Sequence, residues 1–215
     1  MTGYVVRRLL YMIPVFLLIS LFVFFMVRLV PGDPAAIMLG SRASEENIAR
    51  LREILHLNEP LWVQYGSFLG NMLRGDLGES LRQQRPVTDI LRERLPATIF
   101  LVAYAGILSV LISAPLATIA ALRQGSWVDQ AVRVYVLLAL AMPAYWIGMM
   151  LLQFFAVKSH IFPVAGYGEG FFGHLESLFL PALSLALAVS SILVRSLRNS
   201  IIETMGADYV RTARA

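Results

Sequence analysis

Four stretches without a single Asp, Glu, Lys or Arg dominate this chain: 9–27, 95–122, 134–157 and 177–194, which are 19, 28, 24 and 18 residues long. Crossing the hydrocarbon core of a bilayer takes about 20 apolar residues in a helix, so each run reads as a candidate span. Composition agrees: 58% of residues are hydrophobic and 15% charged, against about 45–50% apolar and 25% charged in soluble domains. A soluble enzyme of one or two globular domains does not fit this pattern. The chain has no cysteine, which excludes disulfide scaffolds, thiolate metal sites and cysteine nucleophiles.

The first run follows Arg7-Arg8 and ends at Arg28-Leu29-Val30-Pro31-Gly32-Asp33. A signal peptide has a shorter apolar region followed by a small-residue cleavage site, so the run reads as an uncleaved span at about 9–30. The other spans fall at about 96–122, 134–157 and 177–197. Lys and Arg in short loops mark the cytoplasmic side. With the N-terminus inside, that side holds Arg7, Arg8, Arg123, Arg133, Arg195, Arg198, Arg211 and Arg214, and the short outer loop holds only Lys158. Both ends of the chain are then cytoplasmic. The net charge of +4 is topological bias; no basic stripe with stacking aromatics points to nucleic acid.

Segment 31–94 carries 17 of the 32 charged side chains, yet it has helical patterning. Ser44 can cap a helix that opens with Glu45 and Glu46, and Ile48, Leu51 and Leu55 recur at helical spacing. Pro60 suits the first turn of a second helix whose apolar face is Leu61, Tyr65, Phe68, Leu69, Met72 and Leu73, with Gly75 at its end. A third short helix, 88–94, is expected to stop before Pro96. The reading is a small helical subdomain outside the membrane.

The apolar runs hold no ionisable group and no His. Ionisable residues at membrane depth mark ion pathways and acid–base chemistry, so an ion-coupled carrier or an intramembrane enzyme is disfavoured. No Gly-x-x-x-x-Gly-Lys-[Ser/Thr] loop occurs, so nucleotide hydrolysis by that route needs another subunit. His56, His160 and His174 are scattered and read as ordinary loop histidines rather than zinc ligands. Pro14, Pro115, Pro143 and Pro181 interrupt the runs and can kink helices; of these, Pro115, Pro143 and Pro181 are candidate kinks near a pathway. Ala103, Ala105, Gly106, Ser109 and Ser113 in one run, and Ala139, Ala141, Ala144 and Gly148 in another, allow close helix packing. After the last run an apolar stripe continues through Ile201, Ile202 and Met205. Gly206 then permits a left-handed stop, and Asp208 is placed to cap a short helix from Tyr209 to Ala215.

Several motifs, in collinear order over nearly the whole chain, resemble the permease subunits of bacterial ABC importers, specifically the dipeptide, oligopeptide and nickel branch. They are Val30-Pro31-Gly32-Asp33-Pro34, Asn58-Glu59-Pro60-Leu61-Trp62-Val63-Gln64-Tyr65, Gly75-Asp76-Leu77-Gly78-Glu79-Ser80 with Pro86-Val87, and Arg94-Leu95-Pro96-Ala97-Thr98. Pro163-Val164-Ala165-Gly166-Tyr167 and Asp208-Tyr209-Val210-Arg211-Thr212-Ala213-Arg214-Ala215 complete the set.

The resemblance implies an all-α fold: a polytopic transmembrane helix bundle of the type I ABC importer kind with a small helical external subdomain. Its first part, 1–94, holds one span and the external helices; its second, 95–215, is an incomplete transmembrane domain. The cytoplasmic coupling segment is 203–215, with Asp208, Tyr209, Val210, Arg211, Thr212, Ala213, Arg214 and Ala215 forming the first part of the ATPase-coupling helix. The implied partners are a second permease subunit, two cytoplasmic ATPase subunits that carry the ATP and Mg, and an external substrate-binding protein. The chain itself would bind no cofactor and catalyse no reaction, in the inner membrane of a bacterium. The implied cargo is a short peptide or nickel. The family has six spans where four are counted, so the chain is expected to be either a fragment of a longer protein or a product truncated at the C-terminus. The competing reading is a four-span membrane scaffold without transport activity.

Overall fold

The computed structural model describes residues 2–29, 32–40, 44–54, 56–80 and 82–214. In chain order the helices are α1 (Thr2–Leu29), α2 (Pro34–Leu39), α3 (Glu45–Ile54), α4 (Leu61–Leu73), α5 (Val87–Leu122), α6 (Trp127–Ala141), α7 (Ala144–Leu151), α8 (Gly170–Gly206) and α9 (Asp208–Arg214). A π-helix, Leu152–Lys158, continues α7. The chain divides into two compact units, Met1–Arg94 and Leu95–Ala215.

In the first unit α1 is apolar almost all round, and among its described side chains only Ser20 and Phe24 are buried. A helix that exposes so much continuous apolar surface is suited to lipid or to other helices, not to water. Ser20 and Phe24 mark where α4 docks. The Tyr65 hydroxyl lies 2.8 Å from Ser20 Oγ and donates to Leu17 O at 3.3 Å. The Phe24 ring meets Tyr65 edge-on, with centroids 5.3 Å apart, and packs on Phe68. One turn further, the Arg28 guanidinium stacks 3.6 Å above the Phe24 ring and bonds the Gln64 carbonyl. The Gln64 amide in turn donates to Leu57 O and Glu59 O. Of the apolar face read on 61–73, Tyr65 and Phe68 dock on α1, whereas Leu61 and Leu73 at its two ends are exposed.

The caps of this unit follow from local sequence. Ser44 Oγ accepts from Asn47 N at 3.3 Å, capping α3. Asp33 caps α2 through Ala35 N and pairs with Arg52 of α3 at 2.7 Å. Pro60 immediately precedes α4, and Gly75 beyond its end takes φ +84°, a region open to glycine. Asp76 Oδ1 then accepts from Gly78 N, and Glu79 and Pro86 form a short antiparallel bridge ahead of α5. Val30, Pro31, Leu55 and Ala215, singled out in the sequence, lie outside the described residues.

Two expectations need correction. The helix expected over 88–94 does not stop before Pro96: α5 runs on as one helix to Leu122, through Pro96 and Pro115. An internal proline costs a helix about 3 kcal/mol, but the apolar run after it has no alternative backbone partners in lipid. The stretch 134–157 is not one straight span. It is two arms, Trp127–Ala141 and Ala144–Lys158, bent by 100° at the break. The cause is Pro143, which caps α7. A proline pushes the residue before it out of the helical region, and Met142 is extended at φ −92°, ψ 128°. Among the described residues three helices are long and apolar enough to cross a membrane, and a fourth only if the bent pair counts as one span.

The second unit packs on small side chains. α5 buries Ala105, Ser109, Ser113, Ala117, Ala120 and Ala121, nearly every fourth residue, whereas Ala103 and Gly106 face outward. α6 buries Asp129, Val132, Val136 and Ala139, and packs against α8. Ala117, Ala120, Val132, Val136 and Val194 form the core cluster where α5, α6 and α8 meet. Buried serines satisfy themselves locally: Ser109, Ser184, Ser190 and Ser191 each donate to the carbonyl three residues back.

Candidate functional site

α8 is 37 residues long and carries the chain from the last apolar run straight into the charged segment after Val194. Its end differs from expectation in one respect. Gly206 is the last helical residue and has no left-handed backbone. The turn is made by Ala207, extended at φ −70°, ψ 144°. Ala207, not Asp208, therefore precedes α9, and its carbonyl accepts from Val210 N at 3.0 Å. Asp208 opens the helix, where a carboxylate offsets the positive end of the helix dipole. Thr212 Oγ1 donates back to Asp208 O at 2.9 Å, and the Tyr209 ring is exposed. Val210, Arg211, Ala213 and Arg214 continue the helix. The structure thus contains the helix, turn and short helix read from the sequence.

Twelve residues before Tyr209's neighbour Val210 lies Arg198, and it organises a cluster that the sequence reading missed. Asp129 is fully buried. Arg198 donates from Nε to Oδ1 and from Nη2 to Oδ2, both at 2.7 Å. Arg133 Nη2 and Gly125 N both reach Oδ2 at 3.0 Å. Two parallel N–H···O bonds from a guanidinium to a carboxylate fix orientation as well as distance. The cluster ties three parts together: the turn at Gly125, the start of α6 and the charged stretch of α8. A signal was present in the sequence. Asp129 is the only acidic residue between Leu95 and Gly168, and Arg133 stands four residues on, the spacing of a helical ion pair.

The three candidate kinks differ. Pro143 makes the 100° break. Pro115 and Pro181 lie inside α5 and α8 without ending either helix. Pro181, Gly148, Tyr145, Leu152 and the loop residues Pro163 and Gly166 line a cavity of about 360 Å³ beside the break. Gly148 packs closely on α8 there: a Cβ on it would sit 3.3 Å from Ser184 Oγ. The loop itself is held by Tyr167, which stacks on His174 with centroids 3.8 Å apart while its carbonyl lies 2.9 Å from His174 Nδ1. His56 pairs locally with Glu59 Oε1 at 2.7 Å.

Long apolar helices, a bent pair broken at Pro143, small-residue packing and a short helix beyond the last long helix together define a multi-span helical membrane protein. Comparison with known proteins makes the class specific. A family model described as binding-protein-dependent transport system inner membrane component matches residues 113–215, and the N-terminal model for the membrane component of such systems matches residues 1–102. A probable peptide ABC transporter permease protein of Sinorhizobium fredii is 37% identical over 215 residues, covering 99% of this chain and 69% of that protein. The oligopeptide transport system permease protein AppB of Bacillus subtilis is 34% identical over 221 residues, covering 100% of this chain and 70% of its own length. A probable D,D-dipeptide transport system permease protein, DdpB of Escherichia coli, is 35% identical over 216 residues, covering 89% and 64%. This chain belongs to the binding-protein-dependent transport system inner membrane component family, the membrane-embedded permease subunits of ABC transporters.

Proposed function

We propose that this chain forms part of the pathway by which an ATP-driven importer carries short peptides across a bacterial cytoplasmic membrane. The observation that carries the coupling side of this reading is α8, which runs unbroken from a membrane-length apolar segment to Gly206 and turns at Ala207 into α9. A short helix rigidly joined to a span can lever that span when a docked partner moves.

Several partners follow. Two ATPase subunits would dock on 203–215 and hold the ATP and Mg, a second permease subunit would complete the pathway, and a binding protein would deliver cargo on the outer side. The arginine bias of the short loops supports cytoplasmic placement of 203–215 and of both ends of the chain. The unit 1–94 would lie, beyond α1, on the outer side near the binding protein. Peptide as cargo rests on the names of the relatives, which are peptide, oligopeptide and D,D-dipeptide permeases.

The test is uptake of labelled dipeptide in a strain deleted for the chain, with the intact copy and with Asp208→Ala or Arg211→Ala returned. The intact copy should restore uptake, and the variants should lose ATPase association or hydrolyse ATP without matching uptake. Peptide uptake unaffected by the deletion would remove peptides as cargo, and loss of nickel uptake in their place would assign the metal ion. Variants with full uptake and full ATPase association would remove 208–215 as the coupling helix.

A further inference from the structure

We propose that Asp129 and Arg198 are positioning residues of the transport cycle: they fasten the Gly125 turn and α6 to α8, so that these parts move with α9 as one body. The proposal rests on the reading of α9 as the element that meets the ATPase.

Arg198 stands eight residues before Gly206, which is about 12 Å along the axis at 1.5 Å per residue. The segment from Arg198 to the α9 turn is one continuous helix, so a displacement applied at α9 arrives at Arg198. From there three contacts lead into α6. One is the apolar cluster of Val132, Val136 and Val194, which has no preferred direction. Another is the Tyr135 hydroxyl, a single point of attachment 2.5 Å from Ser190 Oγ. The third is the Asp129 carboxylate, with four N–H donors from three parts of the unit. Sliding or rotation of α8 on α6 breaks the multi-point Asp129 contact at once, whereas the apolar cluster tolerates it and a single hydroxyl permits rotation about itself. Replacing a buried ion pair with apolar residues is often neutral or stabilising, so holding a register explains this pair better than stability does. Facing Asp129 are Arg133 on its own helix and Arg198 on α8; Arg195 is exposed one turn away. The acid is thus surrounded by cations, which keeps it charged and bound.

The test uses the complete transporter in lipid nanodiscs, with spin labels on Gln124→Cys and Glu203→Cys, both at exposed positions. The label–label distance should be the same in the nucleotide-free and ATP-trapped states, and Asp129→Asn should separate the two. A distance that changes with nucleotide in the protein with Asp129 intact overturns the proposal, whatever the variant does. In parallel, Arg198→Lys keeps the charge and loses the two-point grip. It should keep ATPase association while uptake per ATP falls about tenfold, within the range by which changes in a coupling network act. An unchanged ratio also overturns the proposal. Absence of ATPase association with the unaltered transporter is a different result: it removes the coupling reading of α9.

Discussion

Arg198 of α8 reaches across 69 residues of chain to grip Asp129 of α6 at both carboxylate oxygens, at 2.7 Å each. The two partners of the acid are unequal. Arg198 is 13% exposed, whereas Arg133 is 51% exposed. Removing one partner of a buried pair costs about 3–5 kcal/mol because the other charge is left without compensation, while an exposed pair contributes about 0–1 kcal/mol. Arg198→Ala should therefore lower the thermal stability of the purified protein sharply, and Arg133→Ala should change it little. Equal shifts for both variants would contradict this ranking.

Gly168 precedes α8 with φ +73°, and a Cβ there would lie 2.3 Å from the carbonyl oxygen of Gly173. Neither the backbone angle nor the contact admits a side chain. Gly168→Ala should cost about 1–3 kcal/mol, the usual size of a strained backbone site, and should release the Tyr167 ring from His174. Gly166→Ala, also at positive φ but with open space around its Cβ, should cost less. The pair can be compared by thermal unfolding in detergent.

Gln64 is nearly buried and serves three partners: Arg28, Leu57 O and Glu59 O. Leaving buried polar groups without partners costs about 1–3 kcal/mol. Gln64→Leu should loosen α4 from α1 and speed amide exchange in Leu61–Leu73, with little effect on α8. Exchange that is unchanged in α4 would show that Tyr65, Phe24 and Phe68 suffice for docking.

Arg52 beside Asp33 holds its carboxyl below the ordinary value, and the Ala35 amide adds to this. An acid whose folded-state pKa is lowered stabilises the fold above its unfolded value, about 3.9. That stabilisation fades as pH falls through the folded value. The contact between α2 and α3 should therefore be complete at neutral pH and should open only in acid. Asp33→Asn should remove the acid dependence, as read from NMR shifts of Ala35 and Arg52.

Much of this was legible in the sequence because it is local or compositional. The charge-free runs mark the apolar helices, Ser44 and Pro60 mark helix starts, and Gly75 marks a stop. The sequence reads a short helix from Tyr209 to Ala215 behind an Asp208 cap, whereas the helix is Asp208–Arg214, and Ala207 makes the turn assigned to Gly206. Continuity of α5 through Pro96 was not legible, since a proline reads as a boundary until the surroundings of the helix are known. The 100° break at Pro143 was only half legible: the proline flags a kink, but the angle depends on packing against α8. The Asp129 cluster was missed because its main bond joins residues 69 apart, and no helical or strand period connects them.

In the proposed function the α8–α9 end of this chain meets an ATPase and passes its movement to the spans. The most direct measurement is site-specific cross-linking from Tyr209→Cys, an exposed position on α9, in transporter purified with its ATPase subunits. The account predicts a cross-link to the ATPase whose yield changes between nucleotide-free and ATP-trapped states. A label at Tyr209 that reaches no ATPase in either state, while the complex hydrolyses ATP and imports its cargo, would contradict it.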